Sequence, residues 1–297
     1  MSSLIPQDAQ LEKVFTGAVF SEGPASDRAG HVLFSDCSEN LIYSFDESSR
    51  ETSIWSNDSS HANGMNFDAE GRLVVCCDGK NYPSNPKGGV HAVQRYEKDG
   101  TITNLADSFN GKKLNGPNDL CFDAQGRIYF TDPRYGDKSD IEQDVMAVYR
   151  IELDGTLTRV IDDLESPNGI LISKDNKSLI IADYNQDDGG ARTLVKYRSN
   201  LSGLWIKESI LLDFGNDYGM DGMVFDEEEN IYVTGGSGVT AGVHIVSSNG
   251  NLMGFIPTPE TPGNCTFSGK DLDYLYICAS TSLYRIRLNT KGLLTWA

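Results

Sequence analysis

The stretch NDLCFDAQGRIYFTD, residues 118–132, contains the unit that organises the whole chain. A polar side chain, Asn118, opens a short apolar run. Five positions on, Asp123 begins an Asp-Ala-Gln-Gly turn, and RIYFTD follows as a run rich in β-branched and aromatic residues, the composition of a strand. The same layout recurs along the 297 residues. Strand-type runs stand at 32–36 (VLFSD), 72–76 (RLVVC), 127–132 (RIYFTD), 178–183 (SLIIAD), 230–234 (NIYVT) and 274–278 (YLYIC). Each is followed by another apolar run, at 41–45, 92–96, 148–151, 194–197, 243–246 and 283–286. A period of roughly forty to fifty-five residues made of short strands is that of a four-stranded propeller blade. The repeat therefore predicts an all-β, six-bladed β-propeller of four-stranded blades, with residues 1–297 as one domain. Residues 11–15 are expected to supply the outermost strand of the last blade, so that the ring closes without an exposed edge.

Aligned on these strands, the six units share a second regularity. About ten positions before each strand-type run stands an oxygen-bearing side chain: Glu22, Asn63, Asn118, Asn168, Asp221 and Asn264, in the contexts SEGP, ANGM, PNDL, PNGI, MDGM and GNCT. The first strand of a propeller blade lines the central channel, so one register repeated in every blade makes a ring of side chains aimed at the axis. Two carboxylates and four carboxamides give oxygen-only ligation, which suits a hard cation such as Ca²⁺. Two carboxylates also balance a divalent charge. An Asn or Asp beside Gly often does no more than build a turn; the common register of all six is what points to coordination. Only part of the ring is expected to ligate, leaving the remainder to water or substrate.

Chain direction places the loops between second and third strands over the same rim. Those at 78–91, 133–147, 184–193 and 235–242 are long and carry Tyr82, Arg134, Tyr135, Tyr184, Asn185 and Arg192, groups suited to gripping a polyhydroxylated ligand. His61, two residues before Asn63, is either a proton relay at the channel mouth or a structural histidine. Asp36, Asp132 and Asp183 recur at second-strand ends, where they are expected to cap turns or orient the ring residues.

Composition narrows the classes of function. The formal charge is −18, from 43 acidic against 25 basic residues, which disfavours nucleic acid and anionic membrane as partners. No run of eighteen apolar residues predicts a membrane span, and residues 1–10 lack the basic-then-apolar pattern of a secretory signal. Six cysteines without a C-x-x-C pair, and only four histidines, argue against a zinc site. Buried thiols in the cytoplasm are the expectation. The absence of a G-x-S-x-G elbow argues against serine-hydrolase chemistry.

The stretches SEGPAS (21–26), LNGPNDLCFDAQGRIYFTDPRYG (114–136), SPNGILISKDNKSLIIAD (166–183) and GMDGMVFDEEENIYVTG (219–235) resemble the senescence-marker-protein/gluconolactonase/luciferin-regenerating family. NCTFSG and YLYICASTSLYRIRLN, within 264–289, are similar to its bacterial gluconolactonase branch. The resemblance spans about residues 22–289. It implies a six-bladed propeller holding one divalent ion, most often Ca²⁺, with Zn²⁺, Mn²⁺ or Mg²⁺ as alternatives. The ligands it implies fall on Glu22, Asn118, Asn168 and Asp221. Asn63 and Asn264 then remain in the channel wall and, with His61 and Tyr135, are candidate substrate contacts. The implied reaction is hydrolysis of a sugar lactone such as gluconolactone to its aldonic acid, with Asp221 as candidate general base and Glu22 as second choice. A small-molecule lactone is the expected partner, and the protein is expected to be a monomer or weak homo-oligomer. Animal members carry an Arg two positions before the first ligand Asn; here that position is Gly116, so their sugar contacts do not transfer. Two rival readings are a phosphotriester hydrolase on the same scaffold and a non-enzymatic propeller whose ion is structural.

Overall fold

Runs of β-branched and aromatic residues broken by Asp- and Gly-containing turns leave the backbone little choice but successive hairpins. The computed structural model of the chain describes residues 4–79 and 88–293, and in it the hairpins assemble into six antiparallel four-stranded sheets. From the axis outward, blade 1 is Ser21–Ser26, His31–Asp36, Leu41–Asp46 and Thr52–Ser56; blade 2 is Ala62–Phe67, Leu73–Asp78, His91–Tyr96 and Ile102–Ala106. Blade 3 is Leu120–Phe122, Ile128–Asp132, Ala147–Ile151 and Leu157–Ile161; blade 4 is Pro167–Ile172, Ser178–Tyr184, Arg192–Ser199 and Trp205–Asp213. Blade 5 is Met220–Phe225, Ile231–Gly235, Gly242–Val246 and Leu252–Pro257. Blade 6 takes Pro262–Ser268, Tyr274–Ala279 and Ser282–Arg287 from the end of the chain and Glu12–Thr16 from its beginning. That outer strand pairs antiparallel with Ser282–Arg287, Lys13 opposite Tyr284 and Thr16 opposite Ser282, so the ring is closed by the predicted N-terminal segment. Each first strand touches the first strands of the blades on both sides, which makes the closed channel.

The turn residues predicted five positions after each ring residue fix the first hairpin. The Asp123 carboxylate accepts the backbone N–H of Gln125 at 3.0 Å and of Arg127 at 2.9 Å. Asp27, Asp68 and Asp226 make the same pair of bonds in their blades, and the Ser173 hydroxyl serves blade 4. In these five blades one side-chain acceptor per turn satisfies amides that would otherwise lack partners, whereas blade 6 has Gly269 at that position.

The core is divided among the blade interfaces. Six clusters of buried side chains lie one between each adjacent pair of blades; that between blades 2 and 3, for example, packs Val74, Cys76 and Val93 against Leu120, Phe130 and Tyr149. Fully burying one such aliphatic side chain stabilises by ~1.5–3 kcal/mol before the entropy of ordering is subtracted. All six cysteines are buried and free, as predicted, and burial pushes the thiols of Cys76 and Cys121 well up, which keeps them protonated. No helix among the described residues is long and apolar enough to cross a membrane.

Candidate active site

Each ring residue stands at or beside the start of a channel strand, and all six are buried, from 3% exposure for Glu22 and Asn168 to 9% for Asp221. Close approach of neighbouring strands explains the glycines next to them. A Cβ on Gly23 would fall 1.9 Å from the Asn63 carbonyl oxygen, one on Gly169 2.2 Å from that of Asp221, and one on Gly263 2.1 Å from the Glu22 carboxylate. Hydrogen bonds then tie blade to blade at this level. The Ser35 hydroxyl donates to the Asn63 carbonyl at 3.0 Å, the Gly64 N–H to Asn118 at 2.8 Å and the Thr131 hydroxyl to Asn168 at 2.7 Å.

The carboxylates predicted at second-strand ends hold the chain just before it enters the channel. Asp36 accepts the N–H groups of Val19 and Phe20, Asp132 those of Asn115 and Gly116, and Asp183 those of Glu165 and Ser166. These clamps lie two to three residues upstream of Glu22, Asn118 and Asn168. Asp132 is wholly buried, and that burial pushes its carboxyl up to about 7 against the pull of the two N–H bonds. Gly116 sits 3.0 Å, at its missing Cβ, from the Asp78 carbonyl and 3.3 Å from that of Pro133. A side chain in the place where animal relatives carry Arg would be crowded by two backbone carbonyls.

Inside the channel the charges converge. Burial, and next the neighbouring Asp221 carboxylate, raise Glu22 well above the ordinary carboxylate range, while the Gly23 N–H, donating at 2.9 Å, opposes the shift. Asp119 joins them. Its carboxylate reaches across the ring from blade 3 to blade 6, where the Asn264 amide donates to it at 3.5 Å, and burial pushes it up to about 7. Among the described residues no Lys or Arg forms an ion pair with Glu22 or Asp119. The Asn168 Oδ1 is buried with no hydrogen-bond partner. A buried acceptor left unpaired costs ~1–3 kcal/mol, and buried carboxylates without a cation cost more. A divalent cation among Glu22, Asn168 and Asp221 would relieve all of these. No three His, Cys, Asp or Glu among the described residues are grouped closely enough to cage an ion on their own. An oxygen shell for a cation at this centre would need the amides of Asn118 and Asn168 to complete it.

Around this centre the structure sorts the other predicted residues. Asn63 and Asn264 line the channel beside the carboxylates. His61 is fully buried at φ +56°, its Nδ1 2.6 Å from the Cys37 carbonyl and its N–H on the Asn40 side chain, which fixes the ring against blade 1. Tyr135 is partly exposed at the mouth, its hydroxyl 3.5 Å from the Ser166 carbonyl and bonded to the Asn168 amide. Arg134 is used internally, donating to the carbonyls of Asn115 and Asp137 and to Asp140. Asn185 and Arg192 likewise brace their own loop through Glu165 and the Gly190 carbonyl. Tyr82 lies outside the described residues.

Two residues escaped the reading of the sequence. Asp119 stands where four other blades place Gly23, Gly64, Gly169 and Gly222 directly after the ring residue, so the exception was visible in the repeat. Tyr218 comes from the segment between blades 4 and 5 rather than from a loop within a blade; its ring centroid is 5.1 Å from that of Tyr184.

A family model described as the SMP-30/Gluconolactonase/LRE-like region matches residues 20–281. A gluconolactonase of Zymomonas mobilis is 28% identical over an alignment covering 98% of this chain and 85% of that protein. The solved gluconolactonase from Xanthomonas campestris superimposes with a TM-score of 0.82 at 29% identity, covering 96% of this chain and 91% of that one. Regucalcin from Agrobacterium tumefaciens, a calcium-binding protein, shares the fold at TM-score 0.76 and 17% identity over 99% of this chain and 98% of its own. With the family match running through every blade, this chain belongs to the SMP-30/gluconolactonase/LRE-like family.

Proposed function

We propose that the protein is a metal-dependent lactonase that opens a sugar lactone such as gluconolactone to its aldonic acid. The observation that carries this reading is the meeting of Glu22, Asp221 and the unpartnered Asn168 Oδ1 in one buried channel of a chain from this family. Glu22, Asn118, Asn168 and Asp221 are the ligands, and Ca²⁺ is the ion their all-oxygen donor set suits best. When bound, a divalent ion supplies positive charge beside the lactone carbonyl, favouring attack by water.

The chain's own residues do the rest. Asp221 takes the proton from the attacking water as its oxygen bonds to the carbonyl carbon. The ring C–O bond then breaks, and the departing oxygen takes the proton held by Asp221 to become the hydroxyl of the open-chain acid, leaving Asp221 ionised for the next cycle. Glu22 and the amides hold the geometry, and the buried strands around them exclude bulk water from all but the mouth. The named relatives support this substrate class: those from Zymomonas mobilis and Xanthomonas campestris are both called gluconolactonases.

The test is a pH-stat assay on a panel of aldonolactones, using protein stripped of metal and then resupplied with one ion at a time. Turnover should vanish on stripping and return with Ca²⁺ or another divalent ion. Undiminished turnover in protein verified to be metal-free would overturn the reading.

A further inference from the structure

The mouth of the channel is not uniform. Blades 1, 2 and 6 bring Glu22, Asn63 and Asn264, whereas the side formed by blades 3 to 5 carries Tyr135, Tyr184 and Tyr218 in an arc. Their ring centroids are spaced 6.2 Å between Tyr135 and Tyr184 and 5.1 Å between Tyr184 and Tyr218. The arc is braced from behind. Tyr184 packs on Gly219, where a Cβ would fall 2.1 Å from its ring. The chain before Tyr218 is anchored through Asp217 to the Ser237 hydroxyl at 3.1 Å and to Thr240, and the Tyr218 carbonyl accepts the Gly236 N–H. Tyr135 and Tyr218 keep part of their surface open, and all three rings lie close enough to Asp221 to feel its charge.

We propose that this tyrosine arc is the specificity wall of the site, taking the C–H face of an uncharged lactone ring while the ring's carbonyl faces Asp221. The inference rests on the lactonase reading above and goes beyond it by naming the surface that selects the substrate. Sugar rings present an apolar C–H face, and rigid aromatic rings beside a few convergent polar groups are what hold such a face. Charge sets the other half of the selection. Three acidic side chains, Glu22, Asp119 and Asp221, converge in the channel, and among the described residues no Lys or Arg pairs with Glu22 or Asp119. Arg134 and Arg192 at the rim are committed to their own loops. A phosphorylated or carboxylated lactone would bring a second anion into that field at short range.

The experiment compares wild type with Tyr218→Ala, Tyr218→Phe and Tyr135→Ala. Three readouts apply: steady-state hydrolysis of a neutral aldonolactone and its phosphorylated analogue, calorimetric binding of an unhydrolysed sugar lactam of the same ring size, and Ca²⁺ titration followed by melting temperature. Tyr218→Ala should raise KM and the lactam Kd about tenfold, with kcat within about threefold and the Ca²⁺ midpoint unmoved; Tyr218→Phe, which keeps the ring, should stay near wild type. Wild type should use the phosphorylated lactone at least about tenfold less well. Should Tyr218→Ala fail to fold, Tyr135→Ala, at the other end of the arc, carries the same expectation for KM and the lactam Kd. The proposal falls if neither truncation weakens the lactam, if ion binding weakens in step with it, or if the phosphorylated lactone is used equally well. Loss of the lactonase reading itself would look different: wild type with metal would open no lactone at all.

Discussion

Along the first strand of blade 4, Asn168 and Leu171 stand three positions apart and meet opposite conditions. Asn168 is at the mouth of the channel, among carboxylates and amides, with an acceptor that no partner satisfies among the described residues. Leu171 lies towards the far end, where it joins Pro24, Met65, Val224 and Thr266 around a cavity of about 80 Å³ whose wall reaches back to Asp119 and Asn264. That end is closed by the C-terminal segment: the Leu293 N–H donates to the Phe225 carbonyl, the Glu227 N–H donates to the Lys291 carbonyl, and Gly292 forms a β-bridge with Asp226. The same six strands thus build a polar mouth and a mixed floor in which apolar side chains outnumber polar ones. The contrast teaches that the fold holds the mouth in an unfavourable arrangement, with packing between blades and closure of the floor offsetting the cost.

The largest effect expected from breaking this contrast is at Asp221. Asp221→Asn keeps the shape and removes the base, and turnover should fall by about 10²–10⁴ while melting temperature stays close to wild type. A variant retaining more than half of wild-type kcat would remove Asp221 from the chemistry. Next comes the pair on the single strand. Asn168→Ala should weaken the ion, read as the Ca²⁺ midpoint, by an order of magnitude or more. Leu171→Ala should leave that midpoint alone and instead cost roughly 1–3 kcal/mol of stability in denaturant. Equal effects on ion affinity from both substitutions would erase the distinction between mouth and floor. Gly64→Ala probes the seam between them. Its new Cβ would fall 2.4 Å from the Asp119 carboxylate and 2.6 Å from the Asn118 carbonyl. Overpacking of that kind costs about 1–3 kcal/mol, and calorimetry should show it together with a weaker Ca²⁺ response.

How legible these regions were in the sequence follows from what each depends on. The blades and their closure were readable because strand composition, turn residues and a repeating register are local signals, and Glu12–Thr16 completes blade 6 almost where residues 11–15 were expected to. The ring of six was readable because one register carries it. Asp119 was passed over because the reading took a single residue per blade, although its place in a series that four other blades fill with glycine marks it out. Arg134, Asn185 and Arg192 looked like ligand-gripping groups because a loop sequence does not reveal its own hydrogen bonds; their partners, Asp140, Glu165 and the Gly190 carbonyl, are defined only once the loops fold. Tyr218 was out of reach for a related reason: its approach to Tyr184 depends on how one blade meets the next.

The clamp behind the mouth gives the smallest effect and the most direct check on how the mouth is held. Burial pushes Asp132 up to about 7 from an ordinary 3.8, so the folded chain retains a proton that the unfolded chain has already released. Its contribution to stability is complete below a pH of about 4 and drains away as the pH rises through about 7. Asp132→Asn carries no charge at any pH, but one of its two terminal atoms is a donor, leaving either the Asn115 or the Gly116 N–H without an acceptor at a cost of ~1 kcal/mol. The variant should therefore melt lower than wild type at pH 5, and its deficit should narrow towards pH 8 as wild type loses the benefit of the protonated carboxyl. Asp119, raised to a similar value, is present in both proteins and cancels in the difference. A deficit that widens with pH would mean instead that the ionised carboxylate is the form that grips the two N–H groups, and that the entrance to the Asn118 strand is held by charge.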